Sequence, residues 1–204
     1  KMSKRFGNIV NPDDIVKQFG ADSLRIYIAF MGPFEASIDW STDNLVGSRR
    51  FVERVWNLAQ KVSKEGTVED ETLFNRTIKQ VGEDIENFRF NTVISDMMIL
   101  LNSLEKEEKI PQSILETFLT LLAPVAPHIT EELWHSLGHT TSIHLQNWPT
   151  YDTRKLVSDT VVIAVQVNGK IRGELEISNG AAEEEIRTGA LSLVSVKKWV
   201  EGKN

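Results

Sequence analysis

The chain has 204 residues, 41% of them hydrophobic and 25% charged, with a net charge of −6 and no cysteine. These values fit an ordinary globular protein with room for one large domain or a few small ones, and they exclude disulfides and thiolate zinc sites in this segment. No run of about 18 apolar residues occurs, and no basic stretch leading into an apolar one opens the chain, so neither a membrane span nor a secretory signal is visible.

The acidity argues weakly against a general nucleic-acid binder, but it is unevenly spread. Residues 1–33 hold five Lys/Arg against three Asp/Glu, residues 42–64 five against two, and residues 65–120 five against twelve. The N-terminal third is basic.

In chain order, a polar stretch from Lys1 to Asn8 comes first. Asn11, Pro12, Asp13 and Asp14 then read as an N-cap, a first-turn proline and first-turn acids, with Gly20 closing the helix. A second helix is predicted from about Asp22 to Phe30, stopped by Gly32-Pro33. From Ser41 onward, Leu45, Val52, Val55, Trp56, Ala59 and Val62 recur at helical spacing, predicting about five to six turns that end at Gly66. Further helices follow near 70–88, near 91–105 with Asn91 as N-cap, and over 111–122 starting at Pro111. Pro124 and Pro127 break the chain, and a last helix of the set ends at Leu137 before Gly138. Consecutive amphipathic helices with short connections predict an antiparallel bundle.

The pattern changes after Trp148-Pro149. Val161, Ile163, Val165 and Val167 alternate, Asn168-Gly169 supplies a type I′ turn dipeptide, and Ile171, Gly173, Leu175 and Ile177 alternate on the far side, which predicts a β-hairpin. Helices near 181–189 and 195–201 complete a small α+β unit, marginal by itself. The fold class is therefore mostly α: a helical bundle followed by a small α+β domain.

The chemistry-bearing stretch is Lys1-Met2-Ser3-Lys4-Arg5, followed by Phe6-Gly7-Asn8. Two lysines three apart, with a flexible glycine behind them, place two ammonium groups where a polyphosphate could sit. A bare K-x-x-K is usually a solvated surface, and the stretch is not a Walker A loop. Together with Asn11-Pro12-Asp13-Asp14 it resembles the KMSKS loop of class I aminoacyl-tRNA synthetases. The run Phe30-Met31-Gly32-Pro33-Phe34-Glu35-Ala36-Ser37-Ile38-Asp39-Trp40-Ser41, leading to Gly47-Ser48-Arg49-Arg50-Phe51, is similar to the segment after that loop in leucyl-tRNA synthetases. Ala126-Pro127-His128-Ile129 with Glu131-Glu132-Leu133-Trp134 matches the end of their helical domain. Val165-Gln166-Val167-Asn168-Gly169-Lys170-Ile171-Arg172-Gly173 resembles the C-terminal domain of the bacterial-type enzymes.

The resemblance implies a C-terminal fragment of a leucine–tRNA ligase that begins at the KMSKS loop. Residues 1–40 would be the loop and stem-contact region, 41–150 the helical anticodon-binding-type domain, and 155–204 a truncated domain that reaches the corner of the tRNA and lacks an edge strand. Lys4 would be the catalytic residue and Lys1 its helper, both on pyrophosphate, within an ATP-binding set of Lys1, Met2, Ser3, Lys4 and Arg5. ATP and Mg2+ would serve the full-length enzyme, with neither bound by this fragment alone, which is expected to be inactive. The partners would be tRNA(Leu) and the catalytic and editing domains lying outside this chain, in the cytoplasm, with no membrane or DNA partner. Arg5 and Phe6 depart from the family's usual serine and basic residue.

On the 42–64 helix, Arg50, Arg54, Asn57 and Lys61 fall within about 60° at 100° per residue, opposite the Val52, Val55 and Ala59 face. The three cations, facing outward, suit the phosphates of an RNA stem; a solvated face is the plain alternative. Trp56 is expected in the core. Lys170 and Arg172 alternate with Ile171, so both should leave one face of the second strand, fit either for tRNA contact or for protecting a sheet edge. The four histidines make no metal-ligand pattern. The tryptophans, Trp199 among them, read as packing rather than as a base-stacking platform. The rival reading is a stand-alone RNA-binding or scaffold helical module without enzymatic activity. A start at Lys1 without methionine argues against it, and the reading frame upstream of Lys1 discriminates the two.

Overall fold

The computed structural model describes residues 2–33, 39–64, 66, 68–156 and 160–200, with Lys4 and Thr160 described by backbone alone. They form two compact units, residues 1–153 and 154–204.

In the first unit, α1 (Pro12–Phe19) starts where Asn11 Oδ1 accepts the Asp13 N–H at 3.2 Å and ends at Gly20 with φ 90°. α2 (Ala21–Phe30) follows at once. α3 (Thr42–Ala59) is capped by the Ser41 hydroxyl, which accepts the Asn44 N–H at 3.3 Å. It stops at Ala59, short of Gly66, because Val62–Ser63 (β1) leaves the helical path to pair in parallel with Ile110–Pro111 (β2). α4 (Glu71–Glu86) is capped by Asp70. α5 (Phe90–Leu104) begins one residue before the expected cap at Asn91. Phe88, at φ 56°, reverses the chain and the Arg89 N–H bonds to Asp84 O at 2.8 Å, so Arg89 takes the N-cap position. α6 (Gln112–Leu122) and α7 (Pro127–Ser136) complete the bundle.

The helices bury one contiguous core. Phe51, Val55 and Leu58 of α3 meet Ile78 and Val81 of α4, Met97, Leu100 and Leu101 of α5, and Phe118 and Leu122 of α6. Burying each such side chain contributes about 1.5–3 kcal/mol. Ile26 of α2 belongs to this core, while Ile15, Leu24, Tyr27 and Leu45 form a smaller cluster beside it. Through these residues α1 and α2 pack against the helices after them. The expectation for Trp56 is corrected: it is 45% exposed. The buried face of α3 is centred on Phe51, Val55 and Leu58, and Trp56 lies 100° past Val55, on its rim.

In the second unit, β3 (Thr160–Val167) and β4 (Lys170–Ser178) pair antiparallel across Asn168-Gly169. The turn residues sit at φ 52° and 75°, the left-handed pair that a type I′ turn requires. Val165 faces Gly173 but Gln166 faces Ile171, so Arg172 is the extra residue of a β-bulge. α8 (Glu183–Ser192) and α9 (Val194–Val200) cover one face of the hairpin. Their junction sits so close that a Cβ on Gly173 would lie 2.8 Å from Ser195 Oγ and 3.1 Å from Leu193 Cδ1.

Candidate functional site

The N-terminal loop is folded by its own polar atoms. Ser3 donates its N–H to Asn8 Oδ1 at 2.8 Å, its hydroxyl accepts the Arg5 N–H at 3.2 Å, and its carbonyl accepts the Phe6 N–H at 3.0 Å. Lys4–Phe6 forms one turn of 3-10 helix, and Gly7 at φ 64° releases the chain from it. Asn8 thus closes a compact turn around Ser3, with Met2, Arg5 and Phe6 exposed. Lys1 and the side chain of Lys4 lie outside the described residues.

The α3 cations divide. Arg50 is exposed, and no ion pair to it occurs among the described residues. Arg54 forks onto Glu105, with Nε 2.9 Å from Oε1 and Nη2 on Oε2, and also donates to Asn102 Oδ1 at 2.6 Å. The hydrogen bond to Glu105 raises the Arg54 pKa against the opposing effect of burial, and the charge of Glu105 adds to it. Lys61 Nζ donates to the Glu105 and Glu107 carbonyls at 2.6 and 2.9 Å. The free outward stripe is corrected accordingly: two of its three cations are engaged at the C-terminal end of α5, where helix carbonyls lack partners and attract positive charge. Arg49 turns aside, to Glu53 at 2.8 Å and the Phe19 carbonyl at 3.2 Å.

The hairpin cations divide as well. Lys170 is exposed beside the turn. Arg172 stands at the β-bulge, next to Gly173. Its guanidinium carbon lies 3.6 Å from the centre of the Trp199 ring.

The motif around Glu131 has a structural use that the sequence does not reveal. Glu131 Oε2 accepts the Ile143 N–H at 2.9 Å and the Ser142 hydroxyl at 3.0 Å, and Trp134 Nε1 donates to the Thr141 carbonyl at 2.9 Å. Both side chains pin the segment after α7. Desolvation pushes the Glu131 carboxyl up, but the Ile143 N–H, the Ser142 hydroxyl and His135 together outweigh it and hold its pKa low. The His135 ring is held above its ordinary pKa, chiefly by its bond to the His139 carbonyl, against desolvation and with help from Glu131. His139 stacks on Trp134 at 3.8 Å and bonds Glu116 at 2.7 Å, while His128 Nδ1 lies 2.7 Å from Asp22. Among the described residues no three His, Asp or Glu side chains are placed to hold a metal ion.

Residues 71–187, more than half of the chain, match the profile of the anticodon-binding domain of tRNA ligases. The chain belongs to that family. Residues 1–41 match the profile of class I tRNA synthetases of the isoleucine, leucine, methionine and valine group. The solved ternary complex of Agrobacterium radiobacter K84 agnB2 LeuRS with tRNA and LeuAMS shares this fold at a TM-score of 0.74 and 31% identity, over 97% of this chain and 28% of that one. The chain thus spans little more than a quarter of that protein's length. The helical bundle of this anticodon-binding family, with the small two-stranded unit after it, is the architecture shared with the leucyl enzyme.

Proposed function

We propose that this chain is the tRNA-handling part of a leucine–tRNA ligase and carries that enzyme's KMSK-type loop. The observation that carries this reading is the order of the two family matches in one chain. A class I synthetase segment at 1–41 precedes an anticodon-binding domain at 71–187, and both fall within a region 31% identical to a leucyl-tRNA synthetase. A scaffold module would account for the bundle but has no use for the loop.

The full-length protein would activate leucine with ATP and then pass leucyl to tRNA(Leu), in the cytoplasm. In activation, a leucine carboxylate oxygen bonds to the α-phosphorus while the bond from that phosphorus to the bridging oxygen breaks. Negative charge grows on the departing pyrophosphate. Lys4, with Lys1 as its helper, would stabilise that charge, and one such donor is worth about 3–4 kcal/mol of barrier. Met2, Ser3 and Arg5 complete the loop: the Ser3–Asn8 bond fixes its shape, and Arg5 adds a cation in place of the family's serine. The described residues offer no donor set for Mg2+, so no step here passes through it. Arg50, Lys170 and Arg172 are the cations proposed for tRNA. Arg54 and Lys61 would assist by giving up their bonds to Asn102, Glu105 and Glu107.

The isolated chain is expected to support no leucine-dependent ATP–pyrophosphate exchange, because catalysis needs the reactants held together in one geometry. The test of the loop is Lys4→Ala in the full-length protein. Adenylate formation should fall by roughly two to three orders of magnitude with leucine affinity nearly unchanged. Lost leucine affinity with a normal activation rate would refute the assignment.

A further inference from the structure

Trp199 keeps 46% of its surface open while Arg172 lies over its ring. Three features build this pair. Arg172 stands at the bulge, next to Ile171 at 62% exposure. Gly173 lets the α8–α9 junction close onto the strand. Arg172 Nε is itself buried without a hydrogen-bond partner. A leucine at that place would cover the indole equally well and leave no donor unpaired, so packing alone does not explain the arginine. Places where a sequence departs from local economy in this way are where function is found.

The surroundings point to the ligand. Lys170 stands exposed at the hairpin turn, and Lys197 and Lys198 are exposed on α9 next to Trp199. The unit's acidic run, Glu183 to Glu185, sits at the start of α8 instead. A rigid indole with a planar guanidinium stacked on it, bordered by ammonium groups, matches a nucleobase attached to its phosphates. Indole and guanidinium planes both stack on bases that are free of a partner strand, and the lysines neutralise phosphate.

We propose that Arg172 and Trp199 form a stacking platform for an unpaired RNA base, with Lys170 and Lys198 on the neighbouring phosphates. This deepens the tRNA-binding reading above and rests on it. It also reverses the packing role that the sequence suggests for Trp199.

The test measures binding of the full 204-residue chain to an unstructured RNA of about ten nucleotides and to a blunt duplex of the same length. Trp199→Ala should weaken the single strand about tenfold or more, with the salt slope and the duplex affinity unchanged. Trp199→Phe should fall between. Arg172→Lys, which keeps the charge but not the plane, should also weaken the single strand. Lys170→Ala should instead flatten the slope of log affinity against log salt by about 0.7 unit on the single strand, the value for one phosphate no longer neutralised. Parent affinity for the single strand in a folded Trp199→Ala variant overturns the platform alone. If that variant does not fold, parent affinity in both Trp199→Phe and Arg172→Lys overturns it. No salt-dependent RNA binding by the parent chain overturns the platform and the tRNA reading together.

Discussion

Ile129 donates its N–H to Asp22 Oδ2 at 2.7 Å, a bond that closes 107 residues of chain and ties the first turn of α2 to the first turn of α7. Asp22 Oδ1 also accepts from the His128 N–H at 3.3 Å and lies 2.7 Å from the His128 ring. Ala126 caps α7 with no side-chain bond of its own, so a carboxylate from a distant helix does the capping. Asp22 is 6% exposed, and an anion at a helix N-terminus satisfies both the unpaired N–H groups and the helix dipole.

Asp22→Ala should therefore destabilise the first unit by about 2 kcal/mol, since it leaves two helical N–H groups without their acceptor. Asp22→Asn should lose less, because an amide oxygen can still accept one of them. Urea unfolding checks this. An unchanged midpoint for Asp22→Ala would show that the clasp contributes nothing.

The α3 cations should separate in two different measurements. Arg50→Ala should leave stability intact and reduce the salt slope of tRNA binding by about 0.9 unit, the value for a single phosphate, equally for cognate and non-cognate tRNA. Arg54→Ala should instead destabilise by about 1 kcal/mol through the half-exposed pair with Glu105, and change the slope little. A full drop in slope for Arg54→Ala without destabilisation would mean that the arginine leaves Glu105 for RNA.

The Glu131–His135 pair makes stability depend on pH in both directions. His135, with its pKa raised above the ordinary 6.5, contributes fully below that value and loses its contribution as pH rises through its folded pKa. Glu131, lowered from 4.5, contributes above 4.5 and loses it as pH falls through its folded pKa. The pair is thus strongest between the two ordinary values. The Tm difference between the parent and His135→Gln should be larger near about pH 5.5 than near about pH 8. An equal difference at both would contradict this.

What can be read from the sequence is whatever neighbours in the chain decide. Asn11, Pro12 and Gly20 bound α1 from within a single stretch, and Asn168-Gly169 sets its own turn. What cannot be read depends on distant chain. β1 ends α3 early because its partner is β2, far along the sequence. Arg54 and Lys61 look like free surface until Glu105 and Glu107 come beside them. The burial of α3 is decided by α4, α5 and α6, so helical periodicity alone leaves Trp56 ambiguous between core and rim. The bulge at Arg172 and the Trp199 ring beneath its guanidinium come from the partner strand and from α9, which the alternation within β4 does not show. At the N-terminal loop the lysines are legible as a motif, while the Ser3–Asn8 closure needs the fold.

The most direct test of the account is amino-acid-dependent ATP–pyrophosphate exchange by the full-length protein that contains this chain. The account predicts exchange supported by leucine and far less by isoleucine, valine or methionine, and abolished by Lys4→Ala. Exchange driven by one of those other amino acids in preference to leucine, or no exchange with any of them, would contradict it.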